Sequence, residues 1–362
     1  MAVAKRNVTL KMVAERVGCS IAVVSTVLNS ARGRTKVCNK TRQRVLEIAR
    51  EMDYTPNYAS RSLKANSSRT LGIYVQPKPW SGLANQYEMT LFRGIEKAAR
   101  EANYDLLLLN ISLDSLPELC GARLKERRID GVLLLHCDPE AAWVNSLLDI
   151  SSNVMALDND REHPRLNRIE FDNRAALFLA VGTLYKRGYR RIAFAGSCIP
   201  EPEYDALRRE RFFLEAVREY GLTGSLVFHT ANCPVKIDEK TAFCQLEGQE
   251  ALHYFRSLPE PPDAVITYNS LVGEAMLREA VQTGMQIPQE LGILSVDNPV
   301  LPVTCAPQLS TLSHPLEAMG YAGTEELIRL IRDPASDSLP VVRVFKPELL
   351  EGETIRNSEY NN

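Results

Sequence analysis

The sequence predicts a small all-α module at the N-terminus, followed by a much larger α/β body. Apolar residues recur with a helical period as far as Met52. From Leu71 onward, short runs of branched apolar residues alternate with helical patterns. Such alternation favours parallel sheets with helices on both faces. At 362 residues, the chain is also long enough for two or three domains.

Charge is divided unevenly along the chain. The first 70 residues contain 14 Lys and Arg but 4 Asp and Glu, although the formal net charge of the whole chain is −2. The remainder is therefore acidic. This asymmetry predicts a nucleic-acid-binding arm on a body that repels phosphate.

Several classes of protein are not favoured by the sequence. No apolar run approaches the length of a membrane span, and the eight cysteines are scattered without a C-x-x-C pair. We therefore expect reduced thiols and a cytoplasmic location. The five histidines lack metal-ligand spacing, and no nucleophile elbow or phosphate-binding glycine loop occurs. The sequence predicts no metal, no cofactor and no enzymatic activity.

The first two helices are predicted at the spacing of a helix-turn-helix. Thr9 precedes an apolar stripe and can cap it, Gly18 suits a left-handed turn, and Ser20 can cap the next helix. The second helix is predicted to face outward with Ile21, Ala22, Ser25 and Thr26. In a helix-turn-helix, side chains at such positions enter the major groove of DNA.

A basic loop precedes the third predicted helix. It contains Arg32, Arg34 and Lys36, and further cations follow in the first helical turns. Clustered cations oppose the dipole at a helix N-terminus, and a phosphate backbone would relieve that repulsion. An ordinary solvated charged face is the alternative. The apolar face of the third helix is predicted to consist of Val45, Leu46, Ile48, Ala49 and Met52.

The segment Tyr58 to Lys64 has helical propensity but is too short to be a stable helix by itself. Leu63 is its lone exposed apolar residue. One interpretation is a plain linker. The other is a helix that forms on DNA and inserts Leu63 into the minor groove.

The run VTLKMVAERVGCSIAVVSTVLN, together with Tyr54, Pro56, Asn57, Ala59 and Leu63, resembles the headpiece and hinge of the lac-repressor (LacI/GalR) family of transcription factors. The resemblance implies that Thr9, Ser20, Ser25 and Asn29 contact phosphate or support the fold. It implies that Ile21 and Ala22 read base edges, and that Asn57, Ala59 and Leu63 belong to the DNA-contacting hinge. Val23 and Thr26 depart from the family's usual Thr and Arg, which leaves the recognition face apolar.

The predicted domains follow from these patterns. They are a headpiece at 1–56, a hinge helix and linker at 57–70, and an effector-binding and dimerisation domain at 71–362. The last resembles a periplasmic-binding-protein-like pair of parallel-sheet subdomains, and we expect the chain to cross between them near 158–174 and 305–342. Ligands of such folds bind where the carboxyl ends of the strands face the cleft.

Polar residues at predicted strand ends are the candidate effector contacts. Asp158 follows VMAL, Asn269 follows VITY and Asp297 follows GILSV, while Arg209 lies in the helix after the Gly196 loop. The resemblance implies that these four contact the effector. Tyr87 is a further candidate, as a stacking face for the apolar side of a ring. A fixed Asp beside a fixed Arg fork can accept from and donate to neighbouring sugar hydroxyls.

The sequence thus predicts a sequence-specific DNA-binding regulator, a repressor, controlled by a small ligand in the cleft. The expected partners are a pseudo-palindromic operator in double-stranded DNA, a sugar or sugar derivative, and a second copy of the chain. The C-terminal segment lacks a leucine heptad, which favours a homodimer. Two alternatives remain: a purine-type regulator that needs a corepressor, and a DNA-binding protein with a vestigial ligand site. Ser270 and Phe212, which depart from the family pattern, motivate the second alternative.

Overall fold

The fold is described from a computed structural model. It describes residues 8–28, 37–55, 62, 67–76, 86–112, 115–138, 140–159, 161–197, 205–229, 240–297, 307–333 and 339–357. The chain divides into two compact units. Met1–Thr70 and Glu126–Asp130 form the first unit, and Leu71–Lys125 with Gly131–Asn362 form the second.

The described residues of the first unit include the helices α1 (Leu10–Val17), α2 (Ile21–Leu28) and α3 (Asn39–Glu51). The predicted caps are confirmed. Thr9 Oγ1 accepts a hydrogen bond from the Met12 amide at 3.3 Å, and Ser20 Oγ accepts one from the Val23 amide at 3.4 Å. Gly18 ends α1 with φ of 79°, a left-handed conformation that a side chain would oppose.

A small apolar core joins these three helices. It consists of Val13, Ala14, Val17, Val24, Val27, Val45 and Ala49. The prediction that Leu46 belongs to this core is wrong, because its side chain is exposed. Leu46 follows buried Val45 by one residue, and one residue turns a side chain about 100° round a helix.

The residues that lead into the first strand are fastened to Asp130. Its carboxylate accepts hydrogen bonds from the Ser68 amide at 2.7 Å, the Ser68 hydroxyl at 2.8 Å and the Arg69 amide at 2.8 Å. The Ser67 hydroxyl donates a further bond at 2.5 Å. The end of the linker that the sequence predicts at 57–70 is therefore fixed by one carboxylate.

The second unit is an α/β body, and its described residues form two six-stranded sheets. The first sheet contains β1 (Thr70–Val75), β2 (Asp105–Leu108), β3 (Gly131–Leu135), β4 (Val154–Leu157), β5 (Asn167–Phe171) and β11 (Val342–Phe345) in the order β11-β5-β4-β3-β1-β2. The second contains β6 (Ile192–Ala195), β7 (Leu226–Phe228), β8 (Ala264–Thr267), β9 (Gly292–Val296), β10 (Ser310–Leu312) and β12 (Leu349–Leu350) in the order β12-β10-β9-β8-β6-β7.

Helices connect these strands. They are α4 (Gln86–Ala102), α5 (Leu116–Lys125), α6 (Ala142–Leu148), α7 (Asn173–Lys186), α8 (Asp205–Glu219), α9 (Lys240–Ser257), α10 (Ser270–Gln282) and α11 (Leu316–Arg332). Strands β3, β4, β6, β8 and β9 are buried along their whole length, as strands covered on both faces are. Five of the first sheet's strands, from β11 to β1, run parallel, and β12 pairs antiparallel with β10. The predicted fold class is confirmed.

Within the described residues, the chain passes between the sheets at three places. It leaves the first sheet after Phe171, returns between Leu312 and Leu316, and crosses again between Phe345 and Leu349. The sequence indicated no crossing at the third place, because β12 is two residues long. The two sheets are therefore joined by three short connections.

The first subdomain is held by an unusually close pair of helices, α4 and α11. A Cβ atom on Gly94 would overlap the Glu317 carbonyl oxygen, and one on Gly320 would overlap the Leu91 carbonyl oxygen. Each glycine thus lets the backbone of the other helix approach. This contact positions the start of α4, which carries Tyr87 and Glu88.

Candidate functional sites

The start of α2 presents two apolar side chains to solvent. Ile21 is 47% exposed and Ala22 is also exposed, whereas Val24 and Val27 on the opposite side of the helix are buried. The Thr26 hydroxyl donates to the Ala22 carbonyl oxygen at 2.8 Å, so it is already used within the helix. The free surface of α2 is therefore small and apolar, which suits contact with a thymine methyl group.

The prediction that Ser25 faces outward is wrong, because this residue is 7% exposed. On the helix surface, Ser25 neighbours Leu28, which packs against the core of the first unit. Its short side chain does not extend beyond the edge of the buried face. A role for Ser25 toward DNA stays a prediction.

Cations surround the first turns of α3. Lys40, Arg42 and Arg44 are exposed there, and the first turn contains no acidic residue. Together with the exposed start of α2, they give the first unit a basic surface that suits a phosphate backbone. The other predicted DNA contacts lie outside the described residues: Asn29, Arg32, Arg34, Lys36, Asn57, Ala59 and Leu63.

In the second unit, carboxylates follow strands of both sheets at their carboxyl ends. Asp158 follows β4 and Asp297 follows β9. Both have left-handed backbone conformations, with φ of 54° and 75°. Such conformations in residues other than glycine are costly and cluster at functional sites.

Arg209 of α8 joins Asp297 in a fork-to-fork ion pair. Its Nη1 and Nη2 donate to the two oxygens of Asp297 at 3.1 and 2.9 Å. The same guanidinium donates through Nε to Asn173 Oδ1 at 2.8 Å and through Nη1 to the Tyr268 carbonyl oxygen at 2.6 Å. Burial would raise the pKa of Asp297, but the charge of Arg209 outweighs it and holds that pKa well below its usual range.

His314, two residues after the end of β10, completes this cluster, and the sequence did not predict it. The imidazole lies between the two carboxylates, with Nδ1 2.9 Å from Asp297 Oδ1 and Nε2 3.0 Å from Asp158 Oδ1. The ring stacks on Phe171 at 4.0 Å between centroids. Burial would lower the pKa of His314, but the charge of Asp158 and the bonds to both carboxylates raise it to about 9.

A second histidine borders the cluster from the first sheet. Tyr87 stacks on His136 at 5.3 Å and meets the edge of His314 at 5.8 Å between centroids. His136 Nε2 lies 2.9 Å from Glu88 Oε1. Glu88 is fully buried, and within the described residues its Oε2 has no hydrogen-bond partner.

The structure thus brings four of the five candidate effector contacts together: Tyr87, Asp158, Arg209 and Asp297. Asn269 serves another purpose, because its side-chain oxygen caps α10 by accepting from the Val272 amide at 2.9 Å. Sequence reasoning missed His314, His136, Glu88 and Phe171. For His136 a signal existed, since it directly follows the apolar run Gly131–Leu135, as Asp158 and Asp297 follow theirs.

Comparison with known proteins gives the family. Residues 9–57 match the model of the lacI family of bacterial regulatory proteins, and residues 181–355 match a periplasmic binding protein-like domain. The chain thus combines a LacI-family DNA-binding domain with a periplasmic-binding-protein-like domain. It is a DNA-binding transcriptional regulator under the control of a small ligand rather than an enzyme.

Relatives and solved structures cover nearly the whole chain. The HTH-type transcriptional repressor CytR of Escherichia coli K12 is 29% identical over 320 residues, covering 86% of each chain. The lac repressor dimer bound to operator and the anti-inducer ONPF is similar in fold, with a TM-score of 0.78, 18% identity and coverage of 97% and 100% of the two chains. A complex of the regulator CelR with cellobiose gives a TM-score of 0.64, 22% identity and coverage of 96% and 99%.

The part of the chain that the structure describes contains neither a membrane-spanning helix nor a cluster of metal ligands. In that part of the chain, no helix has both the length and the apolar character needed to cross a membrane. Among the same residues, no three His, Cys, Asp or Glu side chains form a group able to hold a metal ion.

Proposed function

We propose that the protein is a cytoplasmic repressor that binds a pseudo-palindromic operator as a homodimer and responds to a sugar or sugar derivative in the cleft of its second unit. The observation that carries the ligand site is the meeting of Asp158, Asp297, Arg209 and Tyr87 at strand ends of two sheets. Paired carboxylates and a guanidinium beside aromatic rings match the hydroxyls and apolar faces of a sugar.

Glu88 supports this assignment. A buried carboxylate oxygen without a partner is costly, and a hydroxyl of a bound ligand would supply the missing donor. The relatives give a parallel, since CelR is a transcriptional regulator found in complex with cellobiose. The alternative effector is a purine-type corepressor, because an aromatic face such as that of Tyr87 also suits a flat ring.

On the DNA side, we propose that Ile21 and Ala22 read base edges in the major groove, with Thr9, Ser20, Ser25, Thr26 and Asn29 around them. Arg32, Arg34 and Lys36 would contact phosphates, and Asn57, Ala59 and Leu63 would form the hinge in the minor groove. Because the exposed start of α2 is apolar, shape readout at the hinge would contribute much of the specificity.

Replacing Leu63 by Ala should weaken operator binding by about tenfold to a hundredfold, because a leucine inserted between base steps buries most of its side chain. Genome-wide capture of DNA bound to the wild-type protein would first supply the operator. Its affinity for the variant would then be measured by gel shift. Leu119→Ala, at an exposed leucine of α5, is the matched control and should bind like wild type. Unchanged operator affinity in Leu63→Ala would remove the wedge role.

A second candidate function is a DNA-binding regulator whose ligand site is vestigial. It is favoured by one observation: Arg209, Asp297, His314 and Asp158 already bond one another. Titration calorimetry of the full chain against sugars and purines distinguishes the two. We expect heat from at least one sugar, and Asp297→Ala should lose most of that affinity. No heat from any compound of either class at millimolar concentration would favour the vestigial site.

A further inference from the structure

His314 lies where the two subdomains meet and contacts a carboxylate of each. Asp158 follows β4 of the first sheet, whereas Asp297 follows β9 of the second. The imidazole bonds both, at 3.0 and 2.9 Å, and is 1% exposed. The described residues therefore contain a continuous chain of charges, Arg209–Asp297–His314–Asp158, that runs from one subdomain to the other.

The geometry requires this histidine to be charged. Ionised carboxylates accept hydrogen bonds and do not donate them, so both ring nitrogens must carry a proton. A neutral imidazole has one N–H group, and a glutamine amide carries its two donors on a single nitrogen. Only the imidazolium donates in opposite directions to two carboxylates.

Other charged and titratable groups surround His314 and its two carboxylate partners. Tyr87, from α4, makes a T-shaped contact with His314 and stacks on His136, which bonds Glu88. From α8, Arg209 holds Asp297, and the charge of the half-buried Arg208 acts on Asp158. Phe171 stacks on the His314 ring. The negative charges of the two carboxylates nearest to His314 thus have a larger effect on its ring than the positive charges of the more distant cations.

We propose that His314 acts as a built-in cationic ligand of the cleft, which bridges Asp158 and Asp297 and holds the two subdomains closed when no effector is bound. Closure would then be set by the chain itself, and an effector would act by competing with His314 for the two carboxylates. The competition between an effector and His314 rests on the proposed function, whereas the bridging of the two subdomains does not.

The experiment compares full-length wild type with His314→Gln by amide hydrogen exchange at neutral pH, without any added ligand. In the variant, we expect exchange around Asp158–Asn159 and Ser313–Leu316 to become about tenfold faster or more, because a buried pair is broken and the cleft opens. The control is His253→Gln. His253 also lies 3.0 Å from a carboxylate, that of Glu279, but the pair is on the surface of one subdomain.

Asp158→Asn provides a second variant, since it neutralises the partner in the first subdomain and keeps its shape. It should speed exchange in the same segments, and the double variant should add little to either single one. If exchange in these segments is the same in wild type and both variants, His314 does not hold the cleft closed. If exchange in these segments is faster in both variants but wild type binds no ligand in calorimetry, the bridging role of His314 is supported and the proposed effector site is not.

A pH series tests the charge of the ring. The pKa of His314 is raised from 6.5 to about 9 by folding, so its stabilising effect is complete below pH 6.5 and is lost as the pH rises through about 9. Over that window, the melting temperature of wild type should fall more than that of His314→Gln. Parallel curves for the two proteins would overturn a charged bridge, whatever the exchange experiment gives.

Discussion

Arg209→Met should lower the free energy of unfolding by about 3–5 kcal/mol, which is the usual cost of breaking a buried ion pair by removing one partner. Arg209 is 3% exposed, and its guanidinium bonds Asp297, Asn173 and the Tyr268 carbonyl oxygen. Methionine has a similar volume but cannot donate. The variant would therefore leave the Asp297 carboxylate buried with the His314 imidazole as its remaining cationic neighbour.

The measurement is denaturation by urea at neutral pH, with Arg174→Met as the matched control. Arg174 also pairs with a carboxylate, Glu215, at 3.2 Å, but both side chains are largely solvated. Exposed pairs contribute about 0–1 kcal/mol, so the control should lose little. A loss in Arg209→Met no larger than that in the control would mean that the cluster at the cleft does not stabilise the fold.

The positions of Asp158 and Asp297 could be predicted from the sequence because their strands are continuous apolar runs. A polar residue directly after such a run must emerge at the carboxyl edge of the sheet. The alternation of elements also sufficed for the fold class. Both inferences depend on local patterns of four or five residues, which sequence displays directly.

The partners of these side chains could not be predicted in the same way. His314 is 156 residues from Asp158 and 17 from Asp297 along the chain, and no periodicity relates such separations. Its contact depends on a crossing between sheets that ends immediately before α11. The pair formed by the buried Glu88 and the partly exposed His136 has the same origin, since α4 and β3 meet only in the folded body.

Helix periodicity also fails at the margins of a buried face. Ser25 follows the fully buried Val24, and Leu46 follows the fully buried Val45, but the two side chains differ in exposure. The serine is covered and the leucine is exposed. A short serine at such a margin is covered more easily than a long leucine, and side-chain length does not enter a pattern of apolar spacing.

Raising the salt concentration from about 50 to 200 mM should weaken DNA binding by about a thousandfold, the loss expected when roughly six phosphates are neutralised. The cations that support this expectation are concentrated in the first 70 residues, where 14 Lys and Arg stand against 4 Asp and Glu. Duplex DNA of random sequence is a suitable probe, because the electrostatic contribution dominates non-specific binding. The affinity would be measured by fluorescence anisotropy across the salt series.

A pair of matched variants locates the effect. Lys40→Gln removes an exposed cation at the start of α3, and it should reduce the slope of log affinity against log salt by about one. Lys125→Gln removes an exposed cation at the end of α5 in the second unit and should leave the slope unchanged. An acidic body repels phosphate and would confine the contact to the first unit. A slope that fell equally in both variants would show that the body also binds DNA, and a slope near zero in wild type would contradict the electrostatic basis of binding altogether.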